Sequence, residues 1–194
     1  MGIVQKIFYF HVPSAWISFL AFFVVFAAGI LYLIKKDRYW DIVGYASAEV
    51  GIVFCSLVLI TGPIWAQKAW GVAWTWDARL TSFTVLWLIY CGYLMLRNTI
   101  DNEGKRASLS AVVGIVGFIS VPLVYMSTRW WRTQHPQAVI GGGESSGLDF
   151  RMFVALMVCL AAFTILFLLI LKIRIGLEKA REELKFMYRQ IETG

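Results

Sequence analysis

"IFYFHVPSAWISFLAFFVVFAAGILYLI", residues 7–34, decides the fold. It contains no Asp, Glu, Lys or Arg. A helix needs about 20 such residues to cross the hydrocarbon core of a bilayer. Four more apolar runs follow, Ile42–Ala66, Leu80–Leu96, Ala107–Thr128 and Phe150–Ile173, each at or near spanning length. The 194-residue chain is 59% hydrophobic and 15% charged, with a mean hydropathy of +0.69. Soluble domains carry about 25% charge. The expectation is an all-α, polytopic membrane helix bundle with five spans over residues 1–173 and a tail at 174–194. A β-barrel would show short alternating segments, and none occur. No cleavable secretory signal stands at the start.

The connections fix an orientation. Lys35–Asp41 and Arg97–Arg106 are short and hold six basic residues within seventeen. With the first span running outside to inside, twelve of the eighteen Lys and Arg fall inside, counting the tail, and six outside. The positive-inside rule therefore puts the N-terminus out and the C-terminus in. In a Gram-negative cell the outer face is periplasmic. The outer connections are then 67–79, rich in tryptophan, and 129–149, with Trp, His, Pro and Gly. The first span starts almost at Met1 with its N-terminus outside. A preceding helix would deliver it there more naturally, so one is expected ahead of this chain.

Several features point to ordinary roles. The net charge of +6 suits basic inner loops better than nucleic acid binding. Cys55, Cys91 and Cys159 lie inside apolar runs without CxxC or metal-ligand spacing, and read as small buried hydrophobes. "IGGGESSG" (140–147) follows no strand and lacks a Lys-Ser/Thr pair, so it is a loop and not a phosphate cradle. The tail repeats Leu177, Ala180, Leu184, Met187 and Ile191 at helical steps, as an amphipathic helix does. It suits either packing at the headgroups or docking a cytoplasmic partner. Glu49 lies within the second span, where a carboxylate is costly. A functional role, a headgroup-level position and an ion pair in the bundle all stay open.

The chain has two histidines, His11 and His135. They are 124 residues apart, yet the topology puts both at the outer surface. Each fits an interfacial residue, and the pair equally fits two axial ligands of one haem iron. His11 precedes Pro13 by two residues, which suits the first turn of a helix. Between the histidines runs "KAWGVAWTWDARL" (68–80). On a helix Trp70, Trp74 and Asp77 would share a face. Scattered interfacial tryptophans, such as Trp16, Trp40 and Trp87, form a belt. Three clustered around Gly71 suggest instead a flat floor for a flat ligand, with the glycine permitting close approach. Asp77 and Arg79 could fix the loop, or Arg79 could meet carboxylates.

"WGVAWTWDARLTS" (70–82) resembles the tryptophan-rich signature of haem-handling proteins. Its Asp-Ala-Arg-Leu-Thr-Ser ending is similar to that of the CcmC family, haem exporter protein C of cytochrome c maturation. "KIFYFHVPSAW" (6–16) and "MSTRWWRTQHPQ" (126–137) resemble that family's two histidine segments, in the same order. The resemblance implies that His11 and His135 are axial ligands of a haem b carried as cargo at the periplasmic surface. It makes Trp70, Gly71, Trp74, Trp76, Asp77 and Arg79 the haem platform. Arg129, Trp130, Trp131 and Arg132 would meet propionates or the chaperone, or serve as interfacial anchors. It implies delivery to the chaperone CcmE, beside the transporter subunits CcmA and CcmB and the small protein CcmD, in the bacterial inner membrane. Ala73 stands where the family usually has a further Trp. The family usually has six spans and this chain shows five, the first being the one expected to be absent.

The rival readings are a cytochrome c haem lyase-type subunit and a bis-histidine, cytochrome b-like electron carrier. The first needs additional histidines, and the second usually holds its histidines inside the bundle. No Ser/His/Asp set, nucleotide loop or paired outer carboxylates point to catalysis. The sequence therefore reads as a binding and handover module and not an enzyme.

Overall fold

The computed structural model describes residues 4–131, 133, 135 and 148–193. They form six helices: α1 (Gln5–Lys35), α2 (Arg38–Trp70), α3 (Ala78–Thr99), α4 (Glu103–Phe118), α5 (Ser120–Trp130) and α6 (Phe150–Thr193). With α4 and α5 taken together as one rod, five are long and apolar enough to cross a membrane. The protein is thus the expected polytopic helical bundle, and no strand occurs among the described residues.

Local chemistry sets the helix ends. Asp37, Asp77 and Asn102 are N-caps, their side chains accepting the backbone N–H of Tyr39, Leu80 and Lys105 at 2.9 Å each. Lys36 and Gly71 close α1 and α2 in the left-handed region, at φ 54° and 77°. These signals lie outside the apolar runs, so the helices are longer than hydropathy suggests. The tryptophan connection expected at 67–79 shrinks to residues 71–77, because α2 continues to Trp70 and α3 starts at Ala78. The tail is continuous with α6. Pro13 lies well inside α1, which begins at Gln5, and not in a first turn. The α4–α5 break has a proline origin. Pro122 has no N–H for the carbonyl of Phe118, where α4 ends, and the Ile119 N–H turns to Val116 O at 3.1 Å.

Helices in lipid gain little from hydrophobicity against one another and associate by close packing and interhelical hydrogen bonds. α1 packs most extensively on α2. At their crossing a Cβ on Gly51 would lie 2.7 Å from Phe22 Cε1, so only glycine admits that approach. Ser47 Oγ donates to Ala21 O across the same seam at 2.9 Å. Phe22 stacks on Tyr90 at 3.7 Å between centroids, and the Tyr90 hydroxyl donates to Gly114 O at 3.2 Å, tying α3 to α4.

The up-and-down course gathers the start of α1, the end of α2, the start of α3 and the end of α5 at one end of the bundle, the tryptophan end. The opposite, charged end gathers the start of α2, the end of α3 and the C-terminal part of α6.

Candidate functional site

At the tryptophan end a cavity of about 460 Å³ lies among α1, α2, α3 and α5. Such a volume is in the range of small-molecule and cofactor sites. Both histidines line it, although 124 residues separate them in the chain. His11 comes from the second turn of α1. Its Nδ1 lies 2.9 Å from Thr61 Oγ1 on α2, and its Cε1 packs over Gly62. His135 follows α5. Its backbone N–H donates to Thr133 Oγ1 at 3.1 Å, and the Thr133 hydroxyl donates to the Asp77 carboxylate.

The tryptophan connection divides between wall and exterior. Trp70, Ala73, Trp74, Asp77 and Arg79 line the cavity. Gly71 and Trp76 do not, and Trp76 is 75% exposed. Residues 71–77 are not helical, so Trp70, Trp74 and Asp77 share a wall without sharing a helix face. Gly71 serves the turn: its φ is 77°, and a Cβ there would meet nothing within 4 Å. The expected flat floor is instead a set of crossed rings. Trp70 meets Trp65 at 4.9 Å and 86° and His135 at 6.4 Å and 70°, while Trp74 meets Trp76 at 5.3 Å and 79°. Edge-to-face contact is the arrangement that aromatic quadrupoles favour.

Asp77 and Arg79 hold the frame. Asp77 caps α3 and accepts from Thr133, so one carboxylate fixes both the start of α3 and the segment carrying His135. Arg79 Nη1 donates to Val124 O at 2.9 Å and to Tyr125 O at 3.4 Å, tying α3 to α5. Arg129, Trp130 and Trp131 are exposed at and just past the end of α5 and do not line the cavity. Arg132 lies outside the described residues.

Several wall residues escape a motif-based reading. Trp16 lines the cavity, although its place near a helix end reads as a belt. Trp65 lines it from α2, five residues before the tryptophan cluster. Trp65 and Trp74 share a further property: each indole Nε1–H is buried with no hydrogen-bond partner among the described residues. Native proteins rarely leave buried donors unpaired, because each costs about 1–3 kcal/mol. Both rings line the cavity, but the Nε1 atoms themselves have essentially no accessible surface and so do not open onto it. The described residues hold no group of three or more His, Cys, Asp or Glu able to take a bare metal ion. Two imidazoles alone suit a metal that arrives with its own equatorial ligands.

Fold and site together define a class, a multi-pass membrane helix bundle with a two-histidine, indole-walled cavity at one end. The chain matches the family model described as "Heme exporter protein C" over residues 1–190, and it belongs to that family. It is 37% identical over 166 residues to the heme exporter protein C of Bradyrhizobium diazoefficiens, covering 86% of this chain and 63% of that protein. It is 33% identical over 186 residues to that of Paracoccus denitrificans, covering 94% and 76%. With the Escherichia coli K12 protein it shares 32% over 134 residues, covering 69% and 55%. The chain thus spans less than two thirds of the length of the first and third of these relatives.

Proposed function

We propose that this protein binds haem b in the cavity between His11 and His135, at the periplasmic surface of the bacterial inner membrane, and hands it to a haem chaperone of the CcmE kind during cytochrome c maturation. One observation carries the reading: the only two histidines of the chain, 124 residues apart, line a single cavity walled by Trp70 and Trp74. Haem supplies the iron and four equatorial nitrogens. The chain supplies two imidazoles, a desolvated wall and a frame that fixes them.

In this reading the charge bias of the loops sets the N-terminus in the periplasm and the C-terminus in the cytoplasm. The exposed Trp76, Trp130 and Trp131 beside the cavity form the rim that meets the chaperone. The role is binding and handover, performed beside the subunits CcmA, CcmB and CcmD.

The test is a haem spectrum of the protein purified in detergent. Wild type should show six-coordinate, low-spin haem, and His11→Ala and His135→Ala should each lose it. Full six-coordinate haem in both variants would overturn the ligand assignment. Handover is tested by co-isolating the chaperone: Trp76→Ala should load it less while still holding haem. Undiminished loading would remove Trp76 from the rim.

A further inference from the structure

Thr61 makes two contacts that cannot both be donations. Its Oγ1 lies 2.7 Å from Leu57 O, four residues earlier on α2, and 2.9 Å from His11 Nδ1 on α1. A carbonyl can only accept, and a hydroxyl has one proton. With that proton given to Leu57 O, Thr61 Oγ1 presents lone pairs to His11. The pairing is then closed only by an Nδ1–H donor on the imidazole. The other ring nitrogen, Nε2, keeps its lone pair and has no hydrogen-bond partner among the described residues.

Gly62 leaves the imidazole room against α2. A Cβ there would lie 3.3 Å from His11 Cε1, so the ring would have to give by a few tenths of an ångström, while the 4.0 Å approach to Nδ1 is ordinary contact. Pro63 follows and lines the cavity, and being a proline it frees the carbonyl of Leu59 within the same turn. Thr61, Gly62 and Pro63 thus make a local cradle on α2 for a side chain carried by α1. Sequence signatures centred on the tryptophans do not include it.

We infer that Thr61 is a positioning residue for His11: its hydroxyl accepts the Nδ1–H, fixes the Nε2-ligating tautomer and orients the ring toward the cavity. The inference rests on the haem reading for its purpose, but the hydrogen bond itself does not. Partners of this kind on the outer nitrogen of a ligating histidine hold its tautomer and raise its basicity, and their removal costs about 10- to 100-fold in metal affinity.

The first measurement needs no haem. In wild-type protein labelled with 15N-histidine, without haem and at a pH where the ring is neutral, His11 should show a protonated Nδ1 and a bare Nε2. A dominant Nε2–H tautomer would overturn the proposal, whatever any variant does. The second uses Thr61→Val, which keeps shape and removes the acceptor, with Thr61→Ser as rescue. Thr61→Val should weaken haem binding about 10- to 100-fold and shift the bound haem midpoint potential upward, since a less basic imidazole stabilises ferric iron less. Thr61→Ser should restore both. Loss in Thr61→Ser equal to that in Thr61→Val would assign the effect to packing and overturn the hydrogen-bond role. Wild-type affinity and potential in Thr61→Val, with His11→Ala still stripped of six-coordinate haem, would overturn the Thr61 role and leave the haem site standing. Six-coordinate haem retained in His11→Ala would instead remove the haem reading, with the tautomer result still deciding the hydrogen bond.

Discussion

The two ends of the bundle are built differently, one closing around ion pairs and the other around a ring-walled cavity. At the charged end the buried Arg97 and Asp41 are matched within the protein, while Arg106 Nε and Ser110 Oγ on α4 are buried without hydrogen-bond partners among the described residues. Arg97 is 8% and Asp41 5% exposed, and the guanidinium meets both carboxylate oxygens, at 2.5 and 2.9 Å. Arg38 donates to the same carboxylate at 2.6 Å and reaches Glu182 on α6 at 2.8 Å. The Arg97 guanidinium also lies 4.5 Å from the Tyr45 ring. Glu49 pairs with Arg174, whose Nε donates at 3.1 Å. The space beside Asp41 and Tyr93 is about 10 Å³, room for a single water at most. At the tryptophan end about 460 Å³ is left open inside a wall of aromatic rings, with His11, Asp77 and Arg79 hydrogen-bonded around it. The contrast sets an end closed by ion pairs against an end that keeps room for the ligand of the proposed reading.

The largest expected effect tests the charged end. Arg97→Met leaves Asp41 buried with only Arg38 against it, and breaking a buried pair this way costs about 3–5 kcal/mol. A detergent thermal melt should show a large drop. The double variant Asp41→Leu with Arg97→Met should recover most of it, because neither buried charge remains. Haem coordination should persist in whatever fraction stays folded. A folded Arg97→Met protein that no longer coordinates haem would break the separation of the two ends.

The spans were legible because hydropathy reports the solvent, and lipid is the solvent here. Their ends were not, because Asp37, Gly71 and Asn102 act through backbone geometry that hydropathy ignores. Asp77 shows how a motif can hide a simpler role. Read with the tryptophans it looks like a ligand contact, yet it precedes an apolar run as an N-cap does. The two histidines were legible from scarcity and topology. Thr61 and Trp65 were not, since a threonine and a tryptophan in a membrane helix carry no signal until α1 is seen against α2. Glu49 was legible as costly, but its partner lies 125 residues away. Arg97 looked like a loop charge, and its burial follows from α3 running to Thr99.

A middle-sized effect sharpens the tryptophan end. Trp65→Phe and Trp74→Phe each remove an unpaired donor and keep a ring. Because each indole lines the cavity, the smaller ring leaves a gap in its wall and should lower haem affinity about tenfold, about 1.4 kcal/mol. The haem-free melting temperature should move by less than about 3 °C, because no hydrogen bond within the protein is lost. A large loss of haem-free stability would show that these indoles hold the fold, as the charged end does.

Asp77 sits between the two behaviours. Asp77→Ala removes a cap worth about 1 kcal/mol and also releases the Thr133 hydroxyl. Thr133→Val releases only the second contact. It should leave the melt near wild type while weakening His135 coordination, seen as a rise in five-coordinate haem. Equal loss of stability in the two variants would place the Thr133 bond with the structural groups.

The smallest effect concerns Gly71, where a ligand-contact role and a backbone role make different predictions. A Cβ at this position meets nothing within 4 Å, so added volume carries no steric cost. The backbone angle of 77° does carry one. Gly71→Ala should therefore cost about 1 kcal/mol in the melt, and Gly71→Asn less, since Asn tolerates the left-handed region. Both should bind haem as wild type does once folded. A glycine kept for close approach of a flat ligand would behave the other way: haem affinity would fall with side-chain size, Asn below Ala, and the melt would not follow that order. The rank of Ala against Asn in the two measurements thus decides whether this residue belongs with the polar frame that holds the cavity or with the wall that touches its contents.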